Sequence, residues 1–165
     1  MRSAIALDIE GAALLELERK VDDRGFFEEI LRASDAIMSA GFAQWSWCER
    51  ETGVITAWHV HPTQWDWWFI PFGRAKVALH DLRRDSGTQA RTVELVLGAG
   101  GPDRVLAVPP GVAHGYRVLE GPMYLFYVTS REYNAASPAP PHGEEGRIPH
   151  DDPSIGYDWM ADPAT

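Results

Sequence analysis

The chain has 165 residues, 45% of them hydrophobic and 24% charged, which is the composition of a folded globular protein. Its 15 Lys and Arg against 24 Asp and Glu give a formal net charge of −9. This acidity argues against nucleic acids and anionic membranes as partners, because both are bound mainly through Lys and Arg. No apolar run reaches the ~20 residues of a membrane-spanning helix.

The length suits one domain over residues 1–165 with a core of ordinary size. Cys48 is the only cysteine, so no intrachain disulfide can form. Residues 1–10 lack the apolar stretch of a signal peptide. Together these features predict a cytoplasmic protein, because disulfides mark oxidising compartments.

Short runs rich in Val, Ile, Leu and aromatic residues alternate with Gly and Pro along the chain. Many short strands at even spacing are typical of a β-sandwich or barrel, so the sequence predicts an all-β fold. The expected strands lie near 12–19, 25–32, 43–50, 53–61, 65–71, 74–82, 91–97, 104–108, 113–119 and 123–129.

One short helix is expected between the second and third strands, with Ser34 as N-cap, residues 36–40 as its body and Gly41 as C-cap. After the last strand, a Pro-rich loop opens the tail 134–165. The tail ends in a segment with Tyr157 and Trp159, so it is predicted to pack back on the domain.

Histidines concentrate the chemistry of the sequence in two places. His59 and His61 stand two apart in a predicted strand, so both side chains point to the same face. Asp66 begins the next apolar run, and His114 opens a strand after a Pro-Gly turn. In a small barrel these four side chains can converge on one site.

Three imidazoles and a carboxylate suit a divalent Zn, Fe, Mn, Ni or Cu ion with positions left open for substrate. The alternative is a pocket of histidines that holds no ion. The sequence leaves both open, with His59, His61, Asp66 and His114 as the candidate ligands.

Six of the seven tryptophans lie between positions 45 and 68. Alternation in the strand that begins at Asp66 puts Trp68 and Ile70 on the face of Asp66, and Trp67 and Phe69 on the other. Trp68 is therefore the best candidate for a wall of the site. The other tryptophans are expected in the core or in an interface, where Trp is enriched.

The spacing of Gly53, His59, His61, Asp66 and Gly73 resembles the first sequence motif of the cupins, and the stretch from Pro109 to His114 resembles the second. More specifically, the chain resembles the dTDP-4-dehydrorhamnose 3,5-epimerase family of cupins. The matching pieces run in family order and cover most of the chain: 23–29, 42–44, 53–54, 81–86, 109–116 and 151–159.

The resemblance implies a double-stranded β-helix, or jelly roll, that forms a homodimer partly by exchanging N-terminal strands. It also implies a nucleotide-linked 4-keto-sugar substrate and no metal or other cofactor. The reaction is proton abstraction next to the C4 ketone, followed by return of a proton to the opposite face. Such chemistry needs a base, a stabiliser for the enolate oxygen and an acid.

Carried over position by position, His59 is the base and Tyr133 falls near the acid. His114 and its neighbour Tyr116 are expected to contact substrate. The resemblance assigns nucleotide binding to Arg24, Phe26, Glu29 and Gln44. The family's orienting carboxylate comes from a segment beyond Trp159, which leaves Asp66 as the candidate for that role here.

Three positions depart from the family pattern. Thr56 replaces an Arg that contacts diphosphate, Asp66 replaces the Lys that steadies the enolate, and His61 replaces a Gln. The last two changes restore the metal-binding pattern of other cupins. Two alternatives to the epimerase therefore stay open: a metal-dependent isomerase or dioxygenase, and a sugar-binding cupin without catalysis.

Overall fold

A computed structural model describes residues 2–134 and 146–163. Within them the chain forms eleven strands and one short 3-10 helix, Ala36–Met38. No helix in these ranges is long and apolar enough to cross a bilayer. The strands are β1 (Ala4–Ala6), β2 (Ala13–Glu16), β3 (Arg19–Asp22), β4 (Gly25–Glu28), β5 (Gln44–Arg50), β6 (Ile55–Val60), β7 (Asp66–Asp81), β8 (Thr92–Gly98), β9 (Arg104–Val108), β10 (Val112–Thr129) and β11 (Gly146–Arg147).

Two long antiparallel strands, β7 and β10, organise the molecule. Seven strands run in the order β1-β2-β9-β7-β10-β6-β11, while β5 also pairs with β10 and β8 also pairs with β7. The hairpin β3-β4 forms a separate two-stranded sheet. The all-β prediction is confirmed.

Each long strand bends and serves two sets of partners. The first half of β10 pairs with β6, and its second half pairs with β5. Gly73, at φ +72°, lies at the bend of β7, where a Cβ would approach the carbonyl oxygen of Glu120 to 2.6 Å. Only glycine allows this close approach. The expected breaks near 72–73 and 120–122 are therefore bends within continuous strands.

The interior divides along the alternation of the strands. Trp68, Ile70 and Leu79 belong to the largest buried cluster, and Trp67 and Phe69 belong to a second one on the other face of β7. A third cluster joins Trp58 to Trp159 on the outer face of β6. The alternation predicted from Asp66 onwards is observed.

The predicted helix is wrong in type and length. It is a single 3-10 turn, Ala36–Met38, with Asp35 rather than Ser34 at the N-cap position. Five residues are too few to offset the cost of helix nucleation. The Asp35 carboxylate instead accepts hydrogen bonds from Arg2 and from the backbone N–H of Arg32.

Residues 146–163 pack against the sheet. The N–H and carbonyl groups of Trp58 and Ile148 exchange hydrogen bonds of 2.8 and 3.0 Å, and the rings of Trp58 and Trp159 lie 4.9 Å apart. Lys76, which is fully buried, donates to the carbonyl oxygens of Asp158 and Ala161. Most of the Pro-rich loop lies outside the described residues.

Candidate active site

His59 and His114 face each other across β6 and β10. The register shifts by one residue beside them, where His114 pairs with His59 but Tyr116 pairs with Thr56. Gly115 lies at the shift, and a Cβ there would come within 2.4 Å of the Ala57 Cβ. Because of this shift, Thr56 and His59 share a face although they are three residues apart.

The three histidines predicted to meet are brought together. The ring centroids of His59 and His114 lie 6.3 Å apart, and those of His61 and His114 lie 5.5 Å apart. The side chain of His114 is almost fully buried, whereas that of His61 is 12% exposed. His59 is half-buried. The group therefore runs from the interior of the barrel toward solvent.

Trp68 forms one wall of this group. Its ring meets that of His114 edge to face at 5.1 Å and that of Tyr116 at 5.8 Å. Both contacts have the geometry that aromatic pairs favour. The prediction that Trp68 would face the histidines agrees with this placement.

Asp66 lies at the centre of the cluster. Its Oδ2 is 3.4 Å from His114 Nε2 and 3.8 Å from His61 Nε2, and its Oδ1 accepts a 2.7 Å hydrogen bond from Gln64. Burial raises the pKa of Asp66. The hydrogen bond and charge that a protonated His114 supplies, then the charge of a protonated His61 and the hydrogen bond from Gln64, outweigh burial. The pKa therefore lies below its ordinary value.

The tautomer of His114 is set by the backbone. Its Nδ1 lies 2.9 Å from the carbonyl oxygen of Val112, so Nδ1 carries a proton and donates it. In the neutral ring, Nε2 then presents a lone pair toward the Asp66 carboxylate, which also has only lone pairs to offer. A proton or a cation between Nε2 and Asp66 would satisfy both atoms.

His61, Asp66 and His114 also lie close enough together to share one metal ion. One ligand atom from each lies within 4.8 Å of the other two. His59, the fourth predicted ligand, is not part of this group and stacks beside His114 instead. The structure thus assembles three of the four predicted ligands.

Tyr116 is buried beneath the cluster. Its hydroxyl lies 3.9 Å from the Cys48 sulfur. Burial raises the pKa of Tyr116 to about 12. A hydroxyl held neutral in this way can donate a hydrogen bond throughout the physiological pH range.

The predicted nucleotide-binding residues Arg24 and Phe26 lie in the β3-β4 hairpin, and Glu29 follows it. Arg24 pairs with Asp22 and is 85% exposed, and the Arg19 guanidinium lies 3.9 Å above the Phe26 ring. Glu29 pairs with Arg32. The Glu29 carbonyl oxygen also accepts a 2.6 Å hydrogen bond from Arg2. None of the contacts described for these three residues is with the histidine cluster.

Gln44 and Tyr133 are neighbours at the end of the β5-β10 pair. The backbone N–H of Tyr133 donates a 2.8 Å hydrogen bond to Gln44 Oε1, and the Tyr133 side chain is 69% exposed. Two residues predicted to contact substrate are therefore adjacent, and the tyrosine side chain is open to solvent.

Two polar residues of the site were missed by the sequence reasoning. Gln64 holds the second oxygen of Asp66 and could have been found as a polar residue two positions from a buried carboxylate. Arg147 lies opposite His59 in the antiparallel pairing of β11 with β6. No local signal marks Arg147, because that register joins segments 88 residues apart in sequence.

An exposed aromatic face lies on β5, β7 and β10, away from the cluster. Trp45, Trp47 and Phe72 are each 59–67% exposed. Two cavities of about 460 Å³ each open on this face. They share Phe72 and Phe126. The first is completed by Trp47 and Tyr124, and the second by nine further apolar residues that include Trp45 and Phe69.

Known proteins resemble this chain in both sequence and structure. The chain is 43% identical over 152 residues to the spore coat polysaccharide biosynthesis protein SpsL of Bacillus subtilis strain 168, covering 92% of this chain and 96% of SpsL. It superposes with a TM-score of 0.84 on a dTDP sugar isomerase of Desulfovibrio desulfuricans G20, at 28% identity over 97% of this chain and 98% of that one.

A further neighbour is dTDP-4-dehydrorhamnose 3,5-epimerase of Bacillus anthracis str. Ames with TDP and PPi bound, at a TM-score of 0.82 and 25% identity over 99% of this chain and 93% of that one. These neighbours confirm the predicted cupin-like jelly roll. The family model for dTDP-4-dehydrorhamnose 3,5-epimerase matches residues 6–165, and the chain therefore belongs to that family.

Proposed function

We propose that this protein epimerises a nucleotide-linked 4-keto-sugar by moving protons next to the ketone. Family membership supports the reaction type. The observation that carries the proposal is the half-buried imidazole of His59, set beside His114 in a site lined by Trp68. The TDP bound to the Bacillus anthracis relative supports a nucleoside diphosphate as part of the substrate.

In the proposed reaction His59 removes the proton from C3 or C5 of the sugar. Imidazole suits this step because its ordinary pKa is ~6.5, so its neutral form is available near neutral pH. The C–H electron pair forms a carbon–carbon double bond, and the negative charge moves to the C4 oxygen. His114 and Trp68 would hold the ring against the base.

Tyr133 is the proposed acid. It would give its hydroxyl proton to the opposite face of the same carbon as the enolate returns to a ketone, and solvent would then reset both groups. Its neighbour Gln44, which accepts the Tyr133 backbone N–H, would bind the nucleotide and so fix the position of the acid. This pairing supports Tyr133 for the role.

We also propose that a divalent cation binds between His61, Asp66 and His114. The 4.8 Å grouping of their ligand atoms supports this site. Two hydrogen bonds orient the ligands, one from His114 Nδ1 to the Val112 carbonyl and one from Gln64 to Asp66. Metal-binding histidines and carboxylates are usually held in this way.

Such an ion would serve the epimerase rather than replace it. A carboxylate next to a forming enolate is unfavourable, and Asp66 stands where the family has a Lys. A cation bound to Asp66 would reverse the local charge and could stabilise the enolate oxygen as a Lewis acid. In this arrangement His59 stays available as the base.

The metal test uses untagged protein purified without a nickel column. Metal content is measured by mass spectrometry, and Zn²⁺ is titrated into chelator-treated protein by calorimetry. We expect one equivalent per chain and at least about 10-fold weaker binding in His61→Gln, with His150→Gln, an exposed tail residue, as control. Absence of stoichiometric binding, or equal binding by His61→Gln, would overturn the site.

We propose a homodimer in which each hairpin β3-β4 reaches the partner's site. Phe26 and Phe27 are 58% and 61% exposed. The exposed aromatic face on β5, β7 and β10 brings several large apolar side chains together at the surface, which is typical of an interaction site. Exchange of the hairpins would bring Arg24 and Phe26 to a nucleotide bound in the other subunit.

We place the activity in the cytoplasm. The support is compositional: Cys48 is the only cysteine, and it is half-buried and unpaired in the structure.

The decisive experiment follows hydrogen exchange in D₂O with a dTDP-linked 4-keto-6-deoxyhexose. We expect the enzyme to place solvent deuterium at C3, C5 or both, as detected by mass spectrometry and NMR. Tight binding without deuterium uptake would instead favour the non-catalytic sugar-binding alternative and would overturn the proposed reaction.

A further inference from the structure

The two-residue strand β11 places Arg147 directly opposite His59. Trp58 and Ile148 exchange both of their backbone hydrogen bonds, so the adjacent pair, His59 and Arg147, is a non-hydrogen-bonded pair of the antiparallel ladder. In such pairs the side chains lie on one face and their Cβ atoms are about 4.5–5.5 Å apart. Arg147 therefore stands beside the proposed base.

The face that Arg147 shares is that of the candidate active site. His114 continues the row on the other side of His59, in register on β10. Trp58, Val60 and Ile148 alternate to the opposite face, where they pack in the cluster around Trp159. Arg147 itself is exposed, so a ligand that reaches His59 can reach its guanidinium as well.

Several contacts beyond β11 hold this register. Lys76 Nζ lies 3.0 Å from the carbonyl oxygen of Asp158 and 2.7 Å from that of Ala161. Arg117 donates to the carbonyl oxygens of Trp159 and Met160, each at 3.1 Å. Two cations thus anchor the segment that carries Arg147.

The charge around His59 calls for a cation at this point. Thr56, which shares the face of His59, stands where the family has an Arg that contacts diphosphate. A nucleotide-sugar brings negative charge on its two phosphates. Without a cation beside them, these phosphates would lose part of their hydration in the site with no charge to compensate for it.

We propose that Arg147 binds the diphosphate of the nucleotide-sugar, taking over the contact that Thr56 cannot make. This inference rests on the proposed function, because it names a binding residue for that substrate. A guanidinium can form two parallel hydrogen bonds to phosphate oxygens, which makes Arg well suited to the task. The diphosphate is attached to C1 of the sugar ring on which His59 acts, so one ligand can contact both residues.

The test measures binding and turnover separately. Dissociation constants for dTDP are measured by calorimetry on wild type, Arg147→Gln, Arg147→Lys and the control Arg91→Gln, which removes an exposed arginine just before β8. We expect at least about 10-fold weaker binding in Arg147→Gln, a smaller loss in Arg147→Lys and no change in Arg91→Gln. The loss should shrink as salt is raised.

Turnover of the 4-keto-sugar nucleotide should show the same pattern, with KM raised in Arg147→Gln and kcat altered less. Equal dTDP affinity in wild type and Arg147→Gln would overturn the assignment even if the enzyme epimerises its substrate. Weakened dTDP binding in Arg147→Gln, together with no deuterium uptake by the wild type, would support the phosphate site and refute the epimerase. A wild type that does not bind dTDP would refute both.

Discussion

His59 and His114 occupy paired positions on β6 and β10, with ring centroids 6.3 Å apart and planes inclined by 27°. The two imidazoles differ in environment. His114 is almost fully buried, with Nδ1 bound to a backbone carbonyl, whereas His59 is half-buried beside it. This difference suits the roles proposed above, in which His114 is a fixed ring that orients substrate and His59 is the ring that exchanges protons with it.

Replacing His59 by Asn should lower the rate of deuterium uptake into the substrate by about 10²–10⁴-fold, because Asn cannot accept the proton. The measurement is mass spectrometry of the sugar nucleotide after incubation in D₂O. His80→Asn is a matched control, since His80 is a buried histidine bound to Thr92 outside the cluster. Uptake that survives in His59→Asn would mean that another group is the base.

We expect Asp81 to make a pH-dependent contribution to the stability of the fold. Burial raises the pKa of this carboxyl, but hydrogen bonds from Arg83, Ser86 and Thr88 outweigh it and hold the pKa well below the ordinary value of 3.8. The folded state thus favours the ionised form. The resulting stabilisation is complete above pH ~4 and is lost as the pH falls toward the folded pKa.

Asp81→Asn should therefore lower the free energy of unfolding by about 2 kcal/mol at pH 7, and the difference from wild type should shrink at pH 3. Urea denaturation at the two pH values provides the measurement. Asp85→Asn, an exposed change in the same turn, serves as control. A difference that is unchanged at pH 3 would contradict the role given to the carboxylate.

Lys76→Met should release the segment 146–163 from the sheet. The buried Lys76 ammonium is bound by two carbonyl oxygens and lies 3.9 Å from Glu94, so its loss leaves these acceptors without their donor. We expect a loss of about 2–3 kcal/mol in stability and faster amide hydrogen exchange at residues 155–163. Lys20→Met, on the exposed hairpin, should change neither.

Trp47→Glu should dissociate the proposed dimer. The Trp47 ring stacks on those of Tyr124 and Phe126 in the middle of the exposed aromatic face, and a carboxylate there would have to be desolvated on association. Light scattering should give twice the 18.4 kDa chain mass for wild type and one chain mass for the variant. Val96→Glu, on β8, is the control, and a monomeric wild type would contradict the proposal.

Much of the fold followed from periodicity, and the failures have identifiable causes. Alternation from Asp66 to Ile70 assigned each tryptophan to the correct face, because one face of β7 packs in each buried cluster. The breaks expected near Gly73 and Pro122 did not occur, because bends at these positions keep the ladder of each long strand running. The small hairpin strand Arg19–Asp22 was missed because its four residues are all exposed.

The site was predictable where its residues share a motif and unpredictable where they meet through tertiary register. His59 and His61 could be identified from their spacing in a predicted strand, and His114 from the Pro-Gly turn before it. Arg147 could not be found, because its position beside His59 depends on how the tail pairs with β6. The group formed by His61, Asp66 and His114 without His59 likewise depends on side-chain directions that the sequence does not specify.

The short pairing between Trp58 and Ile148 covers the backbone edge of β6 as well as placing the Arg147 side chain. On that flank of the sheet, β6 has β11 as its neighbour, so a chain cut before residue 146 would expose unpaired N–H and carbonyl groups beside the proposed base. An open edge of this kind invites pairing with other chains. We therefore expect the truncated protein to aggregate rather than to remain folded and merely inactive.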